Sequence, residues 1–437
     1  MLPPPSEPLP PLGAAPAPME PPPPDAMAAP LEPPSDAWYD RITFGAFADA
    51  YFALDFNFPK AGRLDPSRRR NPIRAYDAAS GFSLTWVGLD VALPAEPVGG
   101  ALSLRFGPAA ERLAGACSDG ECDSSVGLSN VKQGYVSWKP GGGNVGLDLG
   151  KFDTPYGAEV AESQYNINYT RGALYWLGQP AYHTGLRVSY DADRALNLRF
   201  LAVNGWNRSV DNNAGKTFGL QGTFRVPAEA DSENDALTVA LGYMVGPEHD
   251  DFAEIQCQPG SVFDIEGDPA DGCVPDPSNT DGDSGVVERG TSNTKGLRHF
   301  FDLTLVATPT PLFKLLLNGS LGIDNQRAED DLTEFDAALW WGVMAGARYA
   351  LSQEVGLAGR AEYFADRDGY TTGFAANDIS LITGTVTVDY SPADALVLFL
   401  DGRIDWSNKK IFPTKVRDDD NLGTAVSATV GAVFMTN

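Results

Sequence analysis

The side chains of this chain that could do chemistry are carboxylates and guanidinium groups, and they recur at alternate positions. Asp401, Arg403 and Asp405 stand two apart, as do Arg360 and Glu362, and Asp49, Arg187, Arg225, Asp302, Arg348 and Asp389 sit in similarly alternating runs. A spacing of two puts such groups on one face of a β-strand. Opposite charges ranged along one wall can select ions, and they can equally pair with each other and stiffen that wall. Catalysis instead needs a base, a nucleophile and an orienting group at fixed geometry. The only histidines are His183, His249 and His299, and nothing in the sequence fixes them beside a nucleophile. No enzymatic activity, cofactor or metal centre is expected.

The formal net charge of −26 argues against nucleic acid as a partner, because neutralising phosphates takes a basic face. In a pore, the same excess of acids favours cations. The cysteines form two local pairs, Cys117/Cys122 and Cys257/Cys273, each inside a polar loop. Such pairs read as disulfides of an oxidising compartment, and neither has zinc-site spacing. The segment 247–296 carries twelve acids. Its Asp281-Gly282-Asp283 run fails the calcium-loop pattern, since Pro277 stands where the first carboxylate belongs, so a solvated acidic cap is expected.

The elements that must position these groups are strands. From Ile42 to Phe56 apolar residues hold one parity and mixed residues the other, a run too long for an ordinary sandwich strand of about 5–6 residues. The pattern recurs, giving sixteen strands at 41–56, 81–93, 101–107, 129–139, 144–152, 182–190, 196–205, 217–226, 236–246, 297–307, 312–323, 338–349, 354–365, 378–390, 395–406 and 423–435. Short links alternate strictly with long polar ones, as expected of an all-β, up-and-down transmembrane barrel with periplasmic turns and outward loops. Such a barrel leaves no backbone polar group unpaired in hydrocarbon. Phe301, Leu303, Leu400 and Ile404 should then face lipid, and the charges a water-filled lumen. Trp86, Tyr135, Trp138, Tyr190, Trp206, Tyr243, Trp340, Trp341, Tyr390 and Trp406 are candidates for interfacial girdles.

Residues 1–38 hold fifteen prolines and read as a disordered, semi-rigid periplasmic tail, leaving 39–437 as the barrel domain. No apolar run approaches the ~18 residues of a spanning helix. No signal peptide is legible at the N-terminus, so an exported chain would have lost it or begun upstream.

The runs GKFDTPYGAE (Gly150–Glu159), NYTRG, PAYHTG, NGWN, RAEYFADRDG and DGRIDWSN together resemble the OmpL-like β-barrel porin-2 family, with a more distant similarity to phosphate-selective porins. The resemblance spans about residues 40–437. It implies a bacterial outer-membrane diffusion channel for small hydrophilic solutes or ions, surrounded by outer-membrane lipid. A homotrimer is the assembly common among general porins. In those porins the third loop folds inward, so here loop 153–181 is expected to narrow the pore, with Lys151, Asp153, Glu159, Glu162 and Arg171 at the constriction. Its five large aromatics favour packing inside over a free, exposed loop. Two alternatives stand beside the weakly cation-preferring channel. One is a surface-presenting barrel with a plugged lumen, and the other is an anion- or phosphate-selective porin.

Overall fold

The computed structural model describes residues 37–59, 71–76, 80–115, 127–228, 234–249, 252–257, 261–263, 273–275, 286–291, 296–327, 335–374, 377–414 and 421–436. The first staves are β1 (Thr43–Asp55), β2 (Gly81–Leu93), β3 (Val98–Phe106), β4 (Val131–Trp138), β5 (Val145–Asp153), β6 (Tyr182–Asp191), β7 (Leu196–Val203), β8 (Thr217–Pro227) and β9 (Asp235–Pro247). The remaining staves are β14 (Leu297–Thr310), β15 (Phe313–Arg327), β16 (Phe335–Ala350), β17 (Val355–Asp366), β18 (Ile379–Ala393), β19 (Leu396–Ser407) and β20 (Thr424–Met435). All sixteen pair antiparallel with their neighbours, and β1 pairs with β20 to close the barrel.

Between β9 and β14 lie four short strands outside the wall, β10 (Phe252–Cys257), β11 (Ser261–Phe263), β12 (Cys273–Pro275) and β13 (Val286–Thr291). They form two separate ladders, β10 with β13 and β11 with β12. Two short helices, α1 (Pro108–Ala114) and α2 (Ala173–Gly178), belong to the second and third long loops. Residues 1–36 of the Pro-rich tail fall outside the described residues.

The period-two pattern sorts the wall as expected. Phe301, Leu303, Leu400, Ile404 and Trp406 are exposed on the outer face, while Asp302, Asp401, Arg403 and Asp405 are buried inside. The outer apolar band has aromatics at both ends: Trp138, Tyr190, Tyr349 and Tyr390 toward the short turns, and Phe82, Trp341 and Trp406 toward the long loops.

Four expected girdle residues point the other way, and one of them, Tyr135, packs against the lumenal cluster of Phe152 and Tyr156 with Arg187 over its ring. Trp86 and Trp340 are fully buried in the lumen, and Trp206 packs there edge-on against both Phe300 and Trp340. For Trp86 the reason is a register shift in β1–β2 between Asp49 and Ala50, which moves its side chain to the inner face.

Candidate functional site

The root of the third loop is a pair of glycines facing each other across β5 and β6. Gly150 and Gly185 are register partners with φ of +141° and +153°. A Cβ on Gly150 would lie 2.3 Å from the Gly134 carbonyl oxygen, and one on Gly185 2.3 Å from that of Ala202. Only glycine lets four adjacent staves approach this closely in that conformation. Beyond Asp153 the chain turns inward, with the Thr154 hydroxyl 3.1 Å from His183 Nε2 and Gly157 adopting φ +89°.

From that root the loop crosses the lumen to the far wall, half-way round the ring. Its backbone amides are taken up by wall carboxylates. Asp302 on β14 accepts from Gly157 N–H at 2.9 Å, and Asp401 on β19 from Thr170 N–H at 2.9 Å. Glu362 on β17 accepts from Ala173 N–H at 2.6 Å, at the start of α2. Asp49 on β1 accepts from the Tyr169 and Ser163 hydroxyls at 2.6 and 2.7 Å.

Wall donors take up the loop's carbonyls in return. Arg360 donates to Thr170, Arg403 to Arg171, Trp340 to Gly178 and Gln221 to Pro155. A carboxylate accepting amide hydrogen bonds in a low-dielectric interior makes strong, directional bonds. The wall's acids therefore act as docking points for an irregular backbone.

Two buried ion networks lock the loop's own charges. Glu159 is bound by Arg360 at 2.5 Å and accepts Gly172 N–H at 2.8 Å. Glu162 lies between Arg105 on β3 at 2.8 Å and Lys132 on β4 at 2.9 Å, and Lys132 also holds Asp153 at 2.5 Å. Burial alone would push the Glu162 carboxyl up, but the two cations outweigh it and hold it at about 2. Glu159 goes the opposite way: burial raises it, and the Arg360 contact is partly offset by the nearby Glu362.

Apolar packing completes the insertion. Ile167, Leu174 and Leu177 join Trp340, Met344 and Phe364 of the wall in one cluster, and the Tyr169 ring lies over Gly431 of β20. Other loops add to it. Residues 71–76 are largely buried, with Asn71 bonded to Asp405 at 3.0 Å and Arg74 to Ser427 at 2.6 Å. Arg112 of α1 lies over Trp176.

The lumen therefore has two storeys. Toward the loops, inward side chains are buried around the ring, from Asp49 on β1 to Thr429 on β20. Toward the turns, Arg187, Arg199, Arg225, Lys314 and Arg348 remain only half-buried. A cavity of about 570 Å³ opens there, lined by Asn144, Asp191, Asp193, Arg194, Arg225 and Asp235. Tyr165 and Val160 are the exposed large side chains of the inserted loop.

Of the five residues expected at the constriction, Glu159, Glu162 and Arg171 are buried within the insertion, and Asp153 marks its root. Arg171 lies over the Tyr76 ring and donates to the Ser163 hydroxyl and the Tyr169 carbonyl. Lys151 instead packs against the β6 wall, with its ammonium 4.0 Å from the Tyr182 ring centroid.

The expected lumenal charges all point inward, and several pair with one another: Arg348 with Asp389, Arg403 with Asp405 and Arg360 with Glu362, while Arg187 pairs with Asp148, which was not among those expected. Arg105, Lys132 and Asp324 are further lumenal charges that the sequence reading did not single out. Arg105 shares the parity of Ser103 between two leucines, so the signal was there. Lys132 sits beside a register shift in β3–β4, which hides it.

The disulfides find no support. Cys117 and Cys122 lie outside the described residues. Cys257 and Cys273 sit on β10 and β12, which belong to different ladders, and their side chains are not among those described.

A closed sixteen-stave barrel with an apolar outer band and a charged, loop-filled lumen is an outer-membrane channel architecture. The family model described as "Putative beta-barrel porin-2, OmpL-like" matches residues 41–435, and the chain belongs to that family. It is a porin of the bacterial outer membrane.

Solved structures share the fold at low identity. The outer membrane channel DcaP of Acinetobacter baumannii matches with a TM-score of 0.54 at 10% identity, over 90% of this chain and 97% of that one. An anion-selective porin from Comamonas acidovorans matches at 0.51 and 10% identity, over 90% and 99%. In-vitro folded OmpT of Vibrio cholerae, in a trimer form, matches at 0.50 and 13% identity, over 90% and 99%. No curated protein matches.

Proposed function

We propose that this porin is a passive channel for small hydrophilic solutes or ions whose aperture is set by the loop 154–181. The observation that carries this is the crossing itself. The loop reaches from β5 to β18 and β19, bonded by Asp49, Asp302, Glu362 and Asp401 on separate staves. Irregular backbone at membrane depth is stable only where protein or water satisfies it, and here the wall's acids do so. Passage then depends on how far the loop's exposed face, with Tyr165 and Val160, yields to solute. Liposome swelling in sugars of graded size tests this: slow entry confined to the smallest solutes fits, and fast entry of large sugars contradicts it.

The burial of inward side chains around the loop-side storey favours one second reading, a sealed barrel that presents its loops to partners. That reading predicts no swelling with any solute, in the intact protein and after loop deletion alike.

For ions we propose a weak cation preference, supported by the net charge of −26. A homotrimer is proposed by analogy with the trimer form of OmpT. The tail, residues 1–38, is proposed as a periplasmic spacer outside the barrel domain 39–437.

A further inference from the structure

On the turn-side storey three arginines stand on consecutive staves: Arg187 on β6, Arg199 on β7 and Arg225 on β8. Ser189 is the register partner of Arg199, which makes Arg187 its diagonal neighbour, and the Arg199 guanidinium is close enough to those of Arg187 and Arg225, and to the Asp148 and Asp191 carboxylates, for their charges to interact. Two of them have carboxylate partners, Asp148 for Arg187 at 2.9 Å and Asp235 for Arg225 at 3.7 Å. Arg199 has none. Its Nη1 donates to a neutral acceptor, Gln221 Oε1, at 3.0 Å.

The other acids of the adjoining cavity are committed elsewhere. Asp191 accepts from Asn197, and Asp193 accepts from the turn amides of Ala195 and Leu196. A half-buried cation set between two others, with only an amide for a partner, favours an incoming anion. Guanidinium donors match the paired oxygens of a carboxylate or phosphate.

We propose that Arg199, flanked by Arg187 and Arg225, is a binding site for the oxoanion group of a small solute, on the turn side of the inserted loop. The site is also wired to the loop's root. Gln221, whose Oε1 faces Arg199, donates its Nε2 to the Pro155 carbonyl at 2.5 Å. An oxoanion that displaces Gln221 from Arg199 alters the contact that holds the beginning of the loop. The solute class rests on the channel reading above, but binding itself needs no conduction, so the two can fail separately.

The test is isothermal titration of the folded, detergent-purified full chain with inorganic phosphate and, separately, with succinate. We expect saturable binding of at least one of them, weakened by added sodium chloride. Arg199→Gln should weaken it tenfold or more, and Arg199→Lys, which keeps the charge and loses the fork, should fall between. Lys409→Gln, on the exposed opposite end, should bind as the wild type. Binding of phosphate alone identifies a phosphate site and of succinate alone a carboxylate site, and either supports the proposal. Should Arg199→Gln not fold, Arg225→Gln carries the same expectation of weakened binding. No binding of either anion to the wild type, or equal binding by a folded Arg199→Gln or Arg225→Gln variant, overturns the proposal.

Discussion

Asp401 on β19 accepts two hydrogen bonds from a single residue of the inserted loop, the backbone N–H and the hydroxyl of Thr170, both at 2.9 Å. Thr387 on β18 donates to the other carboxylate oxygen at 2.6 Å. One wall carboxylate thus ties the far end of a loop launched on the opposite side of the barrel. The acids of the lumen act first as acceptors for loop backbone and only second as a field for ions.

Replacing Asp401 by Ala should therefore free the loop rather than unfold the barrel. Leaving the Thr170 amide unpaired in a buried site costs about 1–3 kcal/mol. The check is hydrogen exchange of the Tyr169 and Thr170 amides, which should accelerate roughly ten- to hundredfold by the same energy. Amides of β18 and β19 should keep their protection.

Gly431 gives a steric version of the same experiment. A Cβ there would fall 2.3 Å from the Tyr169 ring, which fills the space the glycine leaves. Gly431→Ala should push the ring off the wall and raise single-channel conductance, with unheated gel mobility unchanged. Unaltered conductance would mean that Tyr169 does not limit passage.

The ion network around Glu162 sets a pH dependence with a definite sign. Its carboxyl is held at about 2, below the ordinary value of 4.5, because Lys132 and Arg105 outweigh its burial. Its contribution to loop docking is complete above the ordinary value and is lost as pH falls through about 2. Loop amide protection should hold from pH 7 to about 5 and decline toward pH 2. Glu162→Gln should show weaker protection at pH 7 and a shallower decline. Glu159→Gln should cost less than Glu162→Gln, because the Glu159 carboxyl is raised by burial and its neutral form is the less penalised one.

A potassium chloride gradient across a planar bilayer reads the proposed cation preference. The reversal potential should carry the potassium sign at pH 7 and shrink toward pH 4 as exposed carboxylates protonate. A chloride-signed potential at pH 7 would put the turn-side arginines, rather than the acid excess, in control of conduction.

The staves were legible because alternation survives the whole length of the chain, and β2 falls on the expected residues, 81–93. Where it failed, a local cause is visible. β3 begins at Val98 rather than near 101, because Gly99 and Gly100 carry no side chain to show a face. Trp340 shares the parity of the lumenal Arg348 on the same strand, so alternation already separated it, turned inward onto Gly178, from Trp341, turned out to lipid, and naming both as girdle candidates overlooked that.

The third loop's inward fold was expected from its aromatics and its family, and Gly150 and Gly157 adopt positive φ there. What sequence did not reveal was that the lumenal acids would meet loop amides. A carboxylate two residues from an arginine looks the same whether it faces water, its neighbour or a backbone N–H. The burial of residues 71–76 was missed for a related reason. Nothing in a short polar run announces that Asn71 and Arg74 will find Asp405 and Ser427 across the lumen.

The measurement closest to the central claim is single-channel conductance of the intact protein and of a variant lacking Tyr165–Trp176. If the loop sets the aperture, the deletion opens the loop-side storey and conductance rises severalfold, while the barrel keeps its heat-modifiable migration. Equal conductance in the two proteins, with both folded, would contradict the account.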